Sequence, residues 1–160
     1  MYLAATTRLI GCTALLAALA GCSAKLSEAD IHQALARIDQ ASQQQDVAVF
    51  EQLLAPTATV KIDMRAADID QPLELNKSQY LQLLKASWQV AGSDYRYARS
   101  NTRISLTPNG KGATASATIH ESMELQGVSM TSVSEQISTF ALTDGKLKLT
   151  QVNGRLLSIE

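Results

Sequence analysis

A run of alternating apolar and polar side chains from Ala113 to Leu125 constrains the fold more than any other feature of the sequence. Successive side chains of a strand point to opposite faces of a sheet, so the run predicts one long strand with a buried and a solvated face. Glu121 is the one interruption of the apolar phase. The other phase is wholly polar and consists of Thr114, Ser116, Thr118, His120, Ser122 and Glu124.

Turn-forming segments on both sides of this strand predict an antiparallel meander from about Tyr95 to the end of the chain. Pro108–Gly112 is a turn-forming loop, and Gln126-Gly127 and Thr143-Asp144-Gly145 are each suited to a tight hairpin. Strands joined in this way lie antiparallel, and their side chains share one core face and one outer face.

The first hairpin fixes a register for the meander. If Gln126-Gly127 is a two-residue turn, Met123 lies opposite Met130 and Glu121 lies opposite Ser132. Val133 and Ile137 then lie on the outer face, where unpaired apolar side chains indicate a contact surface. A β-bulge that turns them inward is the alternative. The same register places four apolar side chains on the core face: Val128, Met130, Phe140 and Leu142.

Three helices are predicted before the meander. Ser27 and Asp30 are typical of a helix N-terminus, Asp46 caps a second helix, and Asn76 or Ser78 begins a third. The first helix has a single apolar face at helical spacing, formed by Ile31, Ala34, Leu35, Ile38 and Ala41.

Short alternating segments between the helices predict two further strands, one around Val60 and Ile62 and one around Leu73 and Leu75. Helices followed by an antiparallel meander are typical of the α+β class. We therefore predict one domain, residues 27–160, in which three N-terminal helices pack on a curved antiparallel sheet.

The N-terminal segment has the organisation of an export signal. Arg8 precedes an apolar stretch over residues 9–21, which is shorter than the ~20 apolar residues of a membrane-spanning helix. The stretch ends in Leu19-Ala20-Gly21-Cys22, which resembles the lipobox of bacterial lipoproteins. An uncleaved membrane anchor or a buried helix is the alternative.

The lipobox resemblance implies how the chain is processed and where it is located. Residues 1–21 would be removed as a signal peptide, Cys22 would carry the lipid, and residues 22–26 would form a short tether. Ser23 after the cysteine implies sorting to the outer membrane, with the domain on the periplasmic face. The lipid would make the membrane itself the first partner of the protein.

Charge and cysteine content exclude several classes of function. The formal net charge is −1, so nucleic-acid binding, which needs clustered Lys and Arg, is not expected. The two cysteines, Cys12 and Cys22, both precede the domain. A disulfide framework, a Cys-ligated zinc site and a cysteine nucleophile are therefore not expected in the domain, and no metal or cofactor is predicted.

The order of the elements resembles the nuclear transport factor two-like family, which includes ketosteroid isomerases and SnoaL-like proteins. The local match is the segment from Asp46 to Val60, in which Phe50 is followed by Ala58-Thr59-Val60 at the start of the first strand. By pattern the resemblance covers Ser27 to about Glu160. It implies a cystatin-like cone with an apolar pocket inside and a homodimer formed through the sheet.

The resemblance also identifies two positions that carry isomerase chemistry in the family. An ungapped match places Ile62 at the position of the Asp base and Ile38 at the position of the oxyanion-stabilising Tyr. Asp63 is offset by one residue, and in a strand that offset points its side chain to the other face. The sequence therefore does not predict isomerase activity of this kind.

Six residues are candidates for a ligand pocket: Phe50, Tyr80, Trp88, Glu121, Ile38 and Ile62. The helical spacing of the three aromatic residues is also what an ordinary core requires. Two interpretations of Glu121 are open. In the first, it binds a ligand or acts as an acid or base, with Ser132 and Ser134 beside it. In the second, it lies near the sheet edge and reaches water. Tyr95, Tyr97 and Arg99 share one face, which would suit partner recognition or a half-buried sheet equally.

Three functions follow from these features. The first is a lipid-anchored envelope protein whose periplasmic domain binds a small apolar ligand or a protein partner without catalysis. The second is an enzyme of the same fold, of isomerase or hydrolase type, that uses a pocket carboxylate. The third is a structural subunit of an envelope complex.

Overall fold

The computed structural model describes residues 25–125 and 127–160. The predicted signal peptide, Cys22 and Ser23 lie outside the described residues. No helix within the described ranges is both long and apolar enough to cross a bilayer.

Three α-helices form where the capping residues predict them: α1 spans Glu28–Gln44, α2 spans Val47–Leu53 and α3 spans Lys77–Ala91. Ser27 and Asp30 close a reciprocal capping box at the start of α1, and Asp46 accepts a hydrogen bond from the backbone of the first turn of α2. Side chains that satisfy the free N–H groups of a first turn stabilise a helix by about 1 kcal/mol each. All five residues predicted for the apolar face of α1 are buried.

Six strands form one sheet: β1 Leu54–Asp63, β2 Leu73–Asn76, β3 Arg96–Leu106, β4 Gly112–Leu125, β5 Val128–Thr143 and β6 Lys146–Ile159. Their order in the sheet is β2-β1-β6-β5-β4-β3. The meander of β3 to β6 is antiparallel, as predicted. β1 differs from the prediction, because it pairs in parallel with β6 and so places the first and the last strand of the chain side by side.

The hairpin between β4 and β5 has the predicted register. Met123 pairs with Met130, and Glu121 pairs with Ser132. The prediction that Val128 faces the core is wrong, because its side chain is 63% exposed. The register gives Val128 the phase of the core-facing side chains, but this end of the hairpin is not covered by the rest of the fold.

The helices cover one face of the sheet, which we call the inner face. α1 lies mainly against β3, and α3 lies mainly against β1 and β2. Phe140 of β5 is 1% exposed and is the largest of the fully buried side chains. Its neighbour across the sheet is Ala113, and three alanines in succession keep this part of β4 small: Ala113, Ala115 and Ala117.

The beginning of the described chain is part of this packed unit. Leu26 is 7% exposed, and its N–H donates a hydrogen bond to the carbonyl of Gly110, with an N···O distance of 2.7 Å. The side chain of Lys25 lies against the same glycine. Leu26, which we assigned to the tether, is therefore held in the core beside the β3–β4 turn.

The outer face of the sheet is mostly polar. Ile137 is 47% exposed on this face, as the register predicts, and Val133 is half-buried. Glu135 lies between them in β5 and forms an ion pair with Arg155 of β6, at 2.5 Å. The homodimer through this face stays a prediction.

Candidate functional site

Alternate residues of β3 bring three polar side chains to the inner face. Tyr95, immediately before the strand, is 5% exposed, and Tyr97 is 8% exposed. The side chain of Arg99 is 5% exposed. This face of β3 is therefore covered by the helices, as expected for a sheet face that packs on the core.

Arg99 is held by a residue of α1. Its Nε donates to Oδ1 of Asp39 at 2.8 Å, and its Nη2 donates to the hydroxyl oxygen of Tyr97 at 2.7 Å. The guanidinium carbon also lies 5.9 Å from the centre of the Tyr97 ring. Gln43, one turn after Asp39, donates its side-chain amide to the backbone carbonyl of Tyr97. α1 therefore fixes both the side chain and the backbone of this part of β3.

Glu121 joins the cluster from β4. Tyr97 is its cross-strand neighbour in β3, and the hydroxyl of Tyr95 donates a hydrogen bond to Glu121 Oε1. Ser132 lies on the other side, at the predicted position, but the donor that binds the carboxylate is Tyr95, immediately before β3. Glu121 is half-buried, so the interruption of the apolar phase marks a polar group at the margin of the core.

An aromatic wall connects α2 and α3 to this pair of residues. The ring centres of Phe50 and Trp88 are 5.8 Å apart, and those of Phe50 and Tyr80 are 6.4 Å apart, both in edge-to-face arrangements. The ring centres of Trp88 and Tyr95 are also 6.4 Å apart. Such contacts stabilise a core beyond simple burial. Through Tyr95, the wall leads directly to the carboxylate of Glu121.

We call six of these side chains the inner polar cluster: Asp39, Tyr80, Tyr95, Tyr97, Arg99 and Glu121. Burial raises the pKa of all three tyrosines well above its usual range. The negative charge of Glu121 raises the pKa of Tyr80 and Tyr95 further, because it opposes formation of a nearby phenolate. Each of the three phenols therefore keeps its proton at neutral pH.

The predicted pocket residues are only partly brought together. Phe50, Tyr80 and Trp88 lie in the aromatic wall that reaches Glu121. Ile38 is 3% exposed in the α1 face, next to Asp39, and Ile62 is half-buried near the end of β1. Both isoleucines belong to the apolar core, and neither can donate, accept or transfer a proton.

Asp63 lies on the outer side of β1, as the one-residue offset predicts. Arg65 holds it with hydrogen bonds to both carboxylate oxygens, and this contact lowers the pKa of the Asp63 carboxyl. His120 is also on the outer face, where it is exposed and lies 3.4 Å from the hydroxyl of Ser100. Within the described ranges, no group of three or more His, Cys, Asp or Glu residues could hold a metal ion.

The described part of the molecule has two surface clefts, one away from the inner polar cluster and one beside it. One, of about 340 Å³, lies between the start of α1 and the β5–β6 hairpin. The other, of about 200 Å³, is lined by Tyr97 and Glu121 of the cluster together with neighbouring residues around His120. The cluster itself is closely packed, and it is reached from solvent through its half-buried members Tyr80, Glu121 and Asp39.

Sequence comparison and structure comparison give different results for this chain. No family model and no curated protein matches the sequence. A crystal structure of a protein from Kribbella flavida matches with a TM-score of 0.69 and 15% identity, over 83% of this chain and 92% of the other. An NTF2-like protein with a cystatin-like fold from Novosphingobium aromaticivorans matches with a TM-score of 0.62 and 15% identity, over 81% of each chain.

The chain has the cystatin-like NTF2 fold. The predicted α+β architecture is therefore confirmed. A hexachlorocyclohexane dehydrochlorinase from Novosphingobium barchaimii is also similar, with a TM-score of 0.67 and 12% identity, over 83% of this chain and 88% of the enzyme. NTF2-like folds thus include enzymes, and at these identities the similarity establishes the fold and not the activity.

Asp39 and the Tyr95–Glu121 hydrogen bond were missed by sequence reasoning. A signal for Asp39 was present, because it continues the four-residue spacing of Ile31 and Leu35 along the buried stripe of α1. The Tyr95–Glu121 contact had no such signal, since it joins residues 26 positions apart across two strands.

Proposed function

We propose that this protein is a lipid-anchored envelope protein whose domain binds a small, largely apolar ligand at the inner polar cluster, without catalysis. The observation that supports binding is the Tyr95–Glu121 hydrogen bond at the end of the aromatic wall. It combines an apolar surface with a few oriented polar groups, which is the usual composition of a small-molecule site.

The free-energy cost of burying the charged and phenolic groups of the cluster favours ligand binding as the reason for their presence. Removing charged groups from water costs free energy, and replacing a buried ion pair by apolar side chains is often neutral or stabilising. The Asp39–Arg99 pair and the three tyrosines are therefore poorly explained by stability alone. Clusters of ionisable groups with shifted pKa values are typical of functional sites.

The free hydrogen-bonding capacity of the cluster lies on its accessible side. Oε1 of Glu121 accepts a hydrogen bond from Tyr95, whereas Oε2 accepts none from any described residue. Oε2 is in contact with solvent, because no buried side-chain oxygen of the described residues lacks a partner. The hydroxyl of Tyr80 makes no hydrogen bond to a described residue either. Both side chains are half-buried, and Glu121 also lines the cleft of about 200 Å³ through which a ligand would reach it.

A copurification experiment tests ligand binding. Native mass spectrometry of the purified protein should detect a small molecule bound to the wild-type chain. Glu121→Gln should lower its occupancy, and Glu124→Gln, on the outer face of the same strand, should not. Equal occupancy in all three proteins would contradict a site at Glu121.

The lipid anchor is supported by Leu19-Ala20-Gly21-Cys22 and by the start of the folded domain only a few residues later. Cys22→Ser should abolish metabolic lipid labelling and leave the precursor uncleaved in the inner membrane. Cys12→Ser, in the same segment, should change neither. Normal labelling of the Cys22 variant would exclude the anchor. Ser23 favours the outer membrane as the destination, which membrane fractionation tests.

An enzyme that uses Glu121 is the second candidate function. It is favoured by the carboxylate itself, which faces the accessible end of a site in a fold that also houses a dehydrochlorinase. Turnover that Glu121→Gln abolishes, while ligand binding persists, would replace the binding function by this one.

A further inference from the structure

The charges of the inner polar cluster do not balance. The cluster holds two carboxylates, Asp39 and Glu121, and one guanidinium, Arg99. The guanidinium is bound to Asp39 at 2.8 Å, so its charge is compensated there. Glu121 forms no ion pair with any residue in the described ranges. One negative charge in the cluster therefore has no counter-charge.

Arg96, at the start of β3, forms no ion pair with Glu121. Arg96 is exposed and pairs across the sheet with Ser122 of the outer-face phase, and its guanidinium donates to the backbone carbonyls of Ser93 and Tyr95. Glu121 is instead stabilised by one neutral donor, the hydroxyl of Tyr95. A neutral hydrogen bond leaves the charge of a carboxylate in place.

The surroundings of Glu121 suit a cation. Tyr95 touches it, Tyr97 faces it across the strand pair, and Trp88 packs behind Tyr95. The centre of the Tyr97 ring already lies 5.9 Å from the guanidinium carbon of Arg99, so an aromatic side chain of this cluster accommodates a cation. An ammonium also donates several hydrogen bonds, which match the open Oε2 of Glu121.

We propose that the ligand of this site is an organic cation, an amine whose ammonium group binds Glu121 and whose apolar body lies along half-buried Met123 towards the β4–β5 hairpin. This inference rests on the proposed function, because it specifies the ligand of the same site. Met123 is two residues from Glu121 on the same face of β4, and a methionine adapts its shape to varied apolar bodies.

A fluorescence titration tests the charge of the ligand. Trp88 is the only tryptophan of the chain, so its emission reports on this wall alone. The full chain is titrated with phenethylamine, 2-phenylethanol and phenylacetate, which share an aromatic body and differ in charge. We expect saturable binding of phenethylamine, with at least about tenfold weaker binding of the alcohol and none of the carboxylate.

Two substitutions separate charge from shape. Glu121→Gln keeps the size of the side chain and should weaken phenethylamine binding at least about tenfold, to the level of the alcohol. Glu124→Gln removes the same charge from the exposed face and should leave binding unchanged. Thermal unfolding of each variant, monitored by circular dichroism, verifies that the fold is retained.

The outcomes distinguish this inference from the function on which it rests. Equal affinity for phenethylamine and 2-phenylethanol, or phenethylamine binding that survives Glu121→Gln, would overturn the organic cation and leave a site for neutral ligands. Absence of phenethylamine binding to the wild-type chain would also overturn it. Failure of the proposed function itself would appear separately, as a wild-type chain that copurifies with no small molecule.

Discussion

The two halves of the inner face of β4 differ sharply. In the first half, Ala113, Ala115 and Ala117 are small and buried, and large apolar side chains such as Phe140 fill the space around them. In the second half, Glu121 and Met123 are half-buried, and the inner polar cluster replaces the apolar packing. One strand thus packs an apolar core at one end and carries the proposed ligand site at the other.

This division resembles the general separation of a rigid scaffold from the site that it positions. In the apolar half, Ser138 lies opposite Ala115, but it is 0% exposed and its hydroxyl is bound by Gln136. The polar half contains the ion pair and the phenols, and these contribute little to stability relative to their cost. Changes in the two halves should therefore have different consequences.

The largest expected effect is alkaline unfolding through the tyrosines of the polar half. Their pKa values are raised by burial, whereas tyrosines of the unfolded chain ionise at about 10. Above that pH the unfolded state loses protons that the folded state retains, so stability is complete below about pH 10 and falls as the pH rises.

Phenolate absorbance measured against pH checks this expectation. Three of the four tyrosines, Tyr80, Tyr95 and Tyr97, belong to the cluster, and the fourth is Tyr2. We expect no more than one tyrosine to titrate near pH 10, and the other three to ionise together with loss of the circular dichroism signal. Independent ionisation of three tyrosines in a folded chain would contradict the buried cluster.

Phe140→Ala tests the apolar half. Loss of a large, fully buried side chain leaves a cavity, and we expect the free energy of unfolding to fall by about 3–5 kcal/mol. Ile137→Ala, three residues away on the outer face, is the control and should cost less than about 1 kcal/mol, because that side chain is already 47% exposed. Urea denaturation measures both. Similar losses for the two variants would contradict the inner and outer assignment of β5.

Asp39→Asn tests the ion pair between α1 and β3. It leaves the Arg99 guanidinium, which is 5% exposed, without a counter-charge. Breaking a fully buried pair costs about 3–5 kcal/mol, and because Asp39 is 34% exposed we expect about 2 kcal/mol. Glu135→Gln breaks the exposed pair with Arg155 and should cost under about 1 kcal/mol in the same denaturation experiment. Equal costs would show that Arg99 is well solvated.

Ser27→Ala should have the smallest effect. It removes the side-chain oxygen that accepts from the N–H of Asp30, and we expect a loss of about 1 kcal/mol. Thermal unfolding measures the loss. Ligand binding should be unchanged, since α1 remains attached to β3 through Asp39. Weaker ligand binding in this variant would show that the start of α1 and the site are coupled.

Sequence patterns predicted the elements that depend on neighbouring residues. The capping box at Ser27, the cap at Asp46 and the Met123–Met130 register are each set within a few positions of the chain. Contacts between distant segments were not predicted. The Asp39–Arg99 pair spans 60 positions, and the parallel pairing of β1 with β6 joins the two ends of the domain.

The exposed Val128 has a related explanation. Alternation specifies which side chains share a face, but it does not specify how far along a strand that face is covered. β4 and β5 continue beyond the region where β3 and the helices pack, so the same phase is buried at Phe140 and exposed at Val128. The length of a strand and the extent of its covering layer are set by different parts of the chain.

The hydrogen bond between Leu26 and Gly110 has a consequence for how the protein stands on a membrane. If Cys22 carries the lipid, only residues 23–25 separate it from the packed domain, a reach of ~10 Å at ~3.5 Å per residue. The β3–β4 turn then lies at the bilayer surface, and Glu121, nine positions after Gly112 in β4, is ~30 Å along the strand from it, at ~3.4 Å per residue. Under the proposed anchor, with β4 pointing away from the bilayer, the entrance of the site would face the aqueous periplasm. Its ligand would then arrive from solution, and molecules dissolved in the supporting leaflet would have no direct path to it.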